Sequence, residues 1–287
     1  MWRCPGESGR RRRERFDGTL SRVRVESLGF QTDLAIRRLG GSEIISRDDR
    51  VIVRTPSNPG YWWGNFILLS QPVREGQAAA LRRAFMNQFP GANHMAMGVD
   101  GTAGEVGDQS AVDALGLSAE ITAILTADRL CEPARHPATA CWRTLQGRDD
   151  WVHAGLLRRA CDDQPDTPPH RLFQERQLSE AREVCEAGHG AWFGAFVGSR
   201  LVSSLGLIRV DETTARYQSI ETHPQYRRQG IAGQLIYQSS QYGAARLGAR
   251  RFVIAADPSY HAIDIYRRLG FEVAEQQVQL AASSLGV

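Results

Sequence analysis

The stretch from Ile220 to Ala232 restricts the possible folds more than any other part of the chain. A run suited to a strand, Ala215 to Thr222, is stopped by His223-Pro224, because proline cannot donate to a ladder and keeps the residue before it extended. Gln225-Tyr226-Arg227-Arg228-Gln229 follow. Gly230 then opens a segment in which Ile231, Leu235, Ile236, Ala244, Ala245 and Leu247 recur at roughly helical spacing until Gly248. A strand, a donor-rich turn and a helix start therefore stand in immediate succession. Amides in the first turn of a helix lack internal partners and carry the positive end of its dipole, so a diphosphate fits them if no bulky side chain intervenes. Gly230 and Ala232 keep the approach open, and Arg227 and Arg228 add fixed charge.

Around this segment the pattern alternates. Trp151 to Ala160 and Leu172 to Ala187 have helical spacing and are separated by a proline-rich turn, Pro165 to Pro169. Ala191 to Val197 and Leu201 to Val210, joined by Gly198-Ser199-Arg200, read as a hairpin. Phe252 to Ala256 reads as a buried strand and Ala262 to Leu269 as a short helix stopped by Gly270, leaving Phe271 to Leu280 to close the sheet.

The second informative segment is Ser259-Tyr260-His261-Ala262-Ile263-Asp264-Ile265-Tyr266-Arg267-Arg268-Leu269-Gly270-Phe271. Taken together, Arg227-x-x-Gly230-x-Ala232 and Ala262-x-x-x-Tyr266-x-x-x-Gly270-Phe271 resemble the GNAT superfamily of N-acetyltransferases, over roughly Trp142 to Leu280. The resemblance implies an α/β (α+β) fold, a mixed, mostly antiparallel sheet flanked by helices. It is splayed between the strand ending near Thr222 and Phe252 to Ala256 so as to hold acetyl-CoA. It assigns the diphosphate to Arg227, Arg228, Gln229, Gly230, Ile231, Ala232 and Gly233, and the pantetheine arm to the backbone near Ile220 and Thr222. Family members often carry Asn at Ser259, so that contact passes to Ser259 or to Asp257. Tyr266 becomes the proton donor to the leaving thiolate, and a backbone N–H of Ile220 to Thr222 the oxyanion donor.

For the base the choice is Glu221, beside the thioester, with His223 second. Strand alternation places Tyr217, Ser219, Glu221 and His223 on one face. The implied reaction moves acetyl from acetyl-CoA to a primary amine of a small molecule or peptide by direct attack. The alternative is a non-catalytic acyl-CoA sensor or scaffold on the same fold.

The first half echoes the second. Strands are expected at Glu43 to Ser46, Val51 to Thr55, Trp63 to Leu69, Asn93 to Val99 and Glu120 to Thr126, with a helix at Gly76 to Phe89. Pro72 to Ala78 stands where the phosphate loop would be, and Leu115-Gly116-Leu117 where Leu269-Gly270-Phe271 does, without a tyrosine at the catalytic position. Tandem GNAT-like units result, the first degenerate. The expected boundaries are a basic tail 1–25, a domain 26–130, a linker 131–140 and a domain 141–287. Thr55 to Asn65, rich in aromatics and turn residues, is expected either to pack between the halves or to line an acceptor pocket.

A chain of 287 residues suits two domains, and 42% hydrophobic with 23% charged residues suits globular ones. The net charge of +3 is more than supplied by Arg10 to Arg13 and Arg15, so no nucleic-acid face is expected. Apolar runs are too short to span a bilayer, and a cytoplasmic monomer or homodimer without membrane contact is the expectation. Five cysteines at irregular spacing, with neither CxxC nor Cys/His pairing, suggest reduced thiols and no metal.

Overall fold

The computed structural model describes residues 24–137 and 139–282. Most of the arginine-rich tail expected at 1–25, with Cys4, lies outside them.

The first half contains α1 (Leu28–Leu39), β1 (Glu43–Ser46), β2 (Arg50–Arg54), β3 (Phe66–Leu69), α2 (Ala78–Gln88), β4 (Met95–Val99), α3 (Gln109–Leu115) and β5 (Ser118–Ala127). The second contains β6 (Ala140–Thr144), α4 (Gly147–Cys161), α5 (Pro168–Glu186), β7 (Gly190–Val197), β8 (Arg200–Arg209), β9 (Thr214–Thr222), α6 (Ile231–Arg246), β10 (Arg251–Ala256), α7 (Ile263–Arg268) and β11 (Glu272–Ala282). The strand expected to start at Trp63 begins at Phe66, because Trp62–Gly64 coil into a 3-10 turn. Three elements were not expected as such: α1, α3 and the full β6.

All eleven strands form one sheet, in the order β1-β2-β3-β4-β11-β5-β10-β9-β8-β7-β6. The last strand does not close the sheet at an edge. β11 enters the middle, antiparallel to β4 (Val278 opposite Val99) and to β5 (Val278 opposite Ile121), while β5 runs antiparallel to β10 (Ile254 opposite Leu125). Each half thus gives its final strand to the neighbour, an exchange that crosses the segment 131–140. Ala123 to Thr126 of β5 and Val278 to Ala281 of β11 then have ladder partners on both sides, which covers the edge that each half would otherwise leave open along these residues.

The halves repeat one another down to their helix ends. Gly270 (φ 94°) follows α7, with Phe271 N–H donating to Tyr266 C=O at 3.1 Å, and Gly116 (φ 70°) follows α3, with Leu117 N–H donating to Val112 C=O at 3.2 Å. Both are six-residue Schellman closures that need a left-handed residue, hence glycine. By this register Val112, fully buried, stands where Tyr266 stands in the second half.

Helices α2 and α3 cover one face of the first half, around Phe85, Met97 and Val112, and α1 covers the other, around Phe30, Val53 and Phe66. In the second half α6 and α7 pack on Leu205, Leu207 and Phe252, and α4 and α5 on Trp192 and Phe196. Helix α1 ties the halves together. Its N-terminal amides of Leu28 and Gly29 donate to the Glu275 carboxylate of β11 at 2.9 and 3.2 Å, an anion at the positive end of the helix. Buried Arg216 of β9 donates to Gly29 C=O (3.3 Å), Thr32 and Asp33 (3.0 Å) of the same helix.

Candidate active site

Strands β9 and β10 run parallel and pair only at Thr214 to Arg216 against Arg251 to Val253. Beyond them β9 continues to Thr222 without β10 beside it, and the gap is a cleft of ≈ 1000 Å³. A bulge shapes its wall. Ser204 pairs with Glu221 and Gly206 with Gln218, so Leu205 faces two residues, Ser219 and Ile220, and Ser219 takes φ 46°. A non-glycine residue in this region is strained and needs its surroundings to hold it.

The bulge overturns the expected alternation. Tyr217 faces α6, where its hydroxyl donates to Ile236 C=O at 2.8 Å, and Ile220 packs into the same core. Glu221 reaches the opposite face, where it accepts from Nε of Arg158 on α4 at 3.1 Å. One extra residue reverses the facing of everything after it, so Tyr217 and Glu221 do not share a side. Burial raises the Glu221 carboxyl above the ordinary range, and the Arg158 charge opposes it. His223 stands outside the cleft lining. Its Nδ1 accepts from Gln225 N–H at 3.3 Å, and its Nε2 lies 2.8 Å from Arg200.

At the mouth, Gly230 (φ 84°) begins α6, after Arg228 at φ 63°. Two left-handed residues, one on either side of Gln229, turn the chain so that the amides starting α6 face the cleft end, an anion-binding concavity. Of the sequence-predicted residues, Ile220, Glu221, Thr222, Arg227, Arg228, Gly230, Ile231, Ala232, Gly233 and Tyr266 all line the cleft. Gln229 turns back instead, donating to Gln225 C=O at 3.2 Å. Ser259 donates to Asp257 at 2.6 Å and, like Asp257, stands outside the lining; Tyr260 and His261 take that wall.

Residues 132–135, within the segment 131–140 expected as a linker, also line the cleft. Arg135 donates to Arg228 C=O at 3.3 Å, and its Cβ lies 2.9 Å from where a Cβ on Gly230 would stand. A third guanidinium therefore accompanies Arg227 and Arg228. The Pro133-Ala134-Arg135 sequence read only as a turn, since its approach to Gly230 depends on the tertiary fold. Cys161 lines the cleft below Glu221, and burial pushes its thiol up to about 11, far from the reactive thiolate range.

Tyr266 is 7% exposed, and its phenol is pushed up to about 12 by burial. Among the described residues its hydroxyl has no hydrogen-bond partner, leaving its proton available to a group in the cleft. Such a phenol stays protonated at neutral pH, so it can serve there as an acid and not as a base.

The corresponding place in the first half is filled. Strand β3 ends with its ladder at Leu69, and Val73, fully buried, bridges to Gly107. A Cβ on Gly107 would lie 2.2 Å from Val73 O, and Asp108 N–H donates to that oxygen at 2.8 Å. In the aromatic segment, Trp62 stacks on His94 (5.5 Å) and Trp63 meets Phe66 edge-on (5.6 Å). Tyr61 reaches across to Phe173 of α5 (5.5 Å).

Among the described residues no group of three potential metal ligands occurs, and no helix is long and apolar enough to cross a membrane.

Residues 156–271 match the model of the acetyltransferase (GNAT) family. No curated protein matches the chain significantly. Among solved structures, a GCN5-related N-acetyltransferase from Kribbella flavida aligns with a TM-score of 0.60 at 16% identity, covering 91% of this chain and 98% of its own. A conserved protein from Staphylococcus epidermidis, described as functionally unknown, aligns at 0.64 and 13%, covering 85% and 95%. A tandem GNAT protein from the clavulanic acid biosynthesis pathway aligns at 0.54 and 14%, covering 86% and 87%. At these identities the likeness is one of fold, a tandem GNAT architecture that supports acyl transfer in general.

Proposed function

We propose that the protein transfers the acetyl group of acetyl-CoA to a primary amine by direct attack within the β9/β10 cleft. The observation that carries this reading is a phenol without a protein partner in the same cleft as unpaired helix-start amides and three arginines. The cleft suits coenzyme A chemically: Arg135, Arg227, Arg228 and the amides of Gly230 to Ala232 would hold the diphosphate. The main chain of Ile220 to Thr222, freed from β10, would hold the amide-rich arm and supply an oxyanion donor.

The amine nitrogen bonds to the carbonyl carbon, and the C–S bond breaks with its electron pair going to sulfur. Tyr266 gives the thiolate its proton, and Glu221 accepts one from nitrogen. A base works best when its pKa lies near the operating pH; burial moves the Glu221 carboxyl upward in that direction, and the Arg158 charge opposes the rise. The domain boundaries are proposed at 26–130 and 141–287, with β5 and β11 exchanged between them.

Acetyl-CoA supplied with a panel of amines, with free thiol followed over time, tests the reading. Thiol release that depends on an amine is expected. Saturable acetyl-CoA binding without release for any amine would instead support the sensor.

A further inference from the structure

A second, smaller cavity of ≈ 100 Å³ lies behind β9, where the two halves meet. Arg37 and Tyr61 of the first half line it together with Arg158, Glu180, Trp192 and Gln218 of the second. We propose that this cavity receives the acceptor and that the acceptor is an α-amino acid, a primary amine with a carboxylate on the adjacent carbon. The proposal rests on the acetyl-transfer reading above and adds the substrate class.

Three observations support it. First, Arg158 is 8% exposed and donates to Glu221 through Nε alone, and among the described residues its two terminal amino groups have no hydrogen-bond partner. A largely buried guanidinium whose planar fork is unfilled and still reached by solvent is matched by a carboxylate. Second, the other cation, Arg37, is committed: it donates to Glu180 at 3.1 Å and lies 4.8 Å over the Tyr61 ring. The uncompensated donors are therefore concentrated at Arg158. Third, Trp192 is 4% exposed, and its Nε1 is buried with no partner, a further donor in the wall of the same cavity.

The position of the ion pair gives the amine its direction. Glu221 lines the large cleft and Arg158 the small cavity, with 3.1 Å between their bonded atoms. An ammonium and a carboxylate on one carbon complement such a pair, each charge lying against its opposite. The nitrogen then stands on the Glu221 side, toward the thioester, and the carboxylate on the Arg158 side. A polyamine would place an ammonium against Arg158, which is repulsive, and a bulky aminoglycoside exceeds the space. The bound ammonium first gives one proton to Glu221, which releases it to solvent, and the neutral amine attacks. As the C–S bond breaks, Glu221 takes the second proton from nitrogen and Tyr266 protonates the thiolate, and solvent then returns a proton from Glu221 to Tyr266. The products are an N-acetylamino acid and free thiol.

The test compares L-alanine and L-valine with ethylamine and isobutylamine, the same amines without the carboxylate, using the full chain, acetyl-CoA and thiol release. The expected kcat/KM is on the order of 10²–10⁴-fold higher for the amino acids, because the carboxylate-free amines leave Arg158 unfilled. Equal or faster turnover of the carboxylate-free amines overturns the proposal while the transfer reading stands. If acetyl-CoA binds but no amine releases thiol, the transfer reading fails. Tryptophan fluorescence with L-valine then judges the cavity alone. A saturable change that R158Q abolishes sustains the amino-acid site, and no change, or one that R158Q leaves intact, overturns it.

Discussion

Replacing Tyr266 by phenylalanine removes one hydroxyl and changes nothing else in the cleft. That hydroxyl has no protein partner among the described residues, so its loss strands no buried donor or acceptor, and the stability change is expected below about 1 kcal/mol. The ring still packs edge-on against Phe271 at 6.4 Å. A positioned general acid contributes about 10²–10⁴ in kcat. The barrier should therefore rise by about 3–5 kcal/mol in Y266F. Thermal melting, acetyl-CoA titration and thiol release on parent and variant separate these effects: unchanged melting, affinity within about twofold, and kcat lowered at least ~100-fold. The phenol, pushed up to about 12, stays protonated through neutral and mildly alkaline solution, so the parent-to-variant ratio is expected to be flat there. Equal kcat values would remove Tyr266 from the mechanism. A ratio that declines near neutral pH would show that the phenol titrates there, against its burial.

Other perturbations probe the remaining parts. Gly230→Glu places a carboxylate at the start of α6, and Gly230→Ala carries the same left-handed backbone cost of about 1–2 kcal/mol and the same 2.9 Å approach of its Cβ to Arg135, without the charge. Calorimetric titration is expected to show coenzyme A affinity lost in the first and largely kept in the second, and equal affinities would mean that the diphosphate lies elsewhere. Removing the Arg158 charge by Arg158→Met leaves burial to raise the Glu221 carboxyl further. The acid limb of kcat/KM should then move to higher pH, since the base stays protonated longer; an unmoved limb would exclude Glu221 as the base. Because β5 and β11 are exchanged, the two halves should unfold in a single calorimetric transition, and a fragment of residues 141–287, lacking β5, should not reach the native fold. Two separate transitions, or a fragment with native amide dispersion, would contradict the exchange.

Much of this architecture is readable from local pattern. The proline after His223, the glycines at 230, 248 and 270, the apolar β7 and the mostly apolar β8 each act within a few residues of themselves, and they mark their elements directly. Helix α1 escaped notice because its buried Thr32 and Arg37 are polar, and only Asp33, Arg216 and Glu180 explain them. The bulge at Ser219 has no composition signal, since a serine at positive φ is held there by the β8 register. The site follows the same division. Arg227, Gly230, Ala232 and Tyr266 stand at short, fixed spacings, whereas Arg158 and Arg135 reach the site across 63 and 93 positions of chain. The strand exchange could not be read either, because β5 and β11 suit either half by alternation, and only the pairing partner decides.

The central claim is that the α6 start grips the diphosphate and aims the thioester at Tyr266. A crystal structure with bound coenzyme A tests it most directly. The account predicts diphosphate oxygens on the main-chain N–H groups of residues 228–232 and the sulfur within hydrogen-bond reach of the Tyr266 hydroxyl. Coenzyme A bound elsewhere, or a sulfur remote from that hydroxyl, would contradict it.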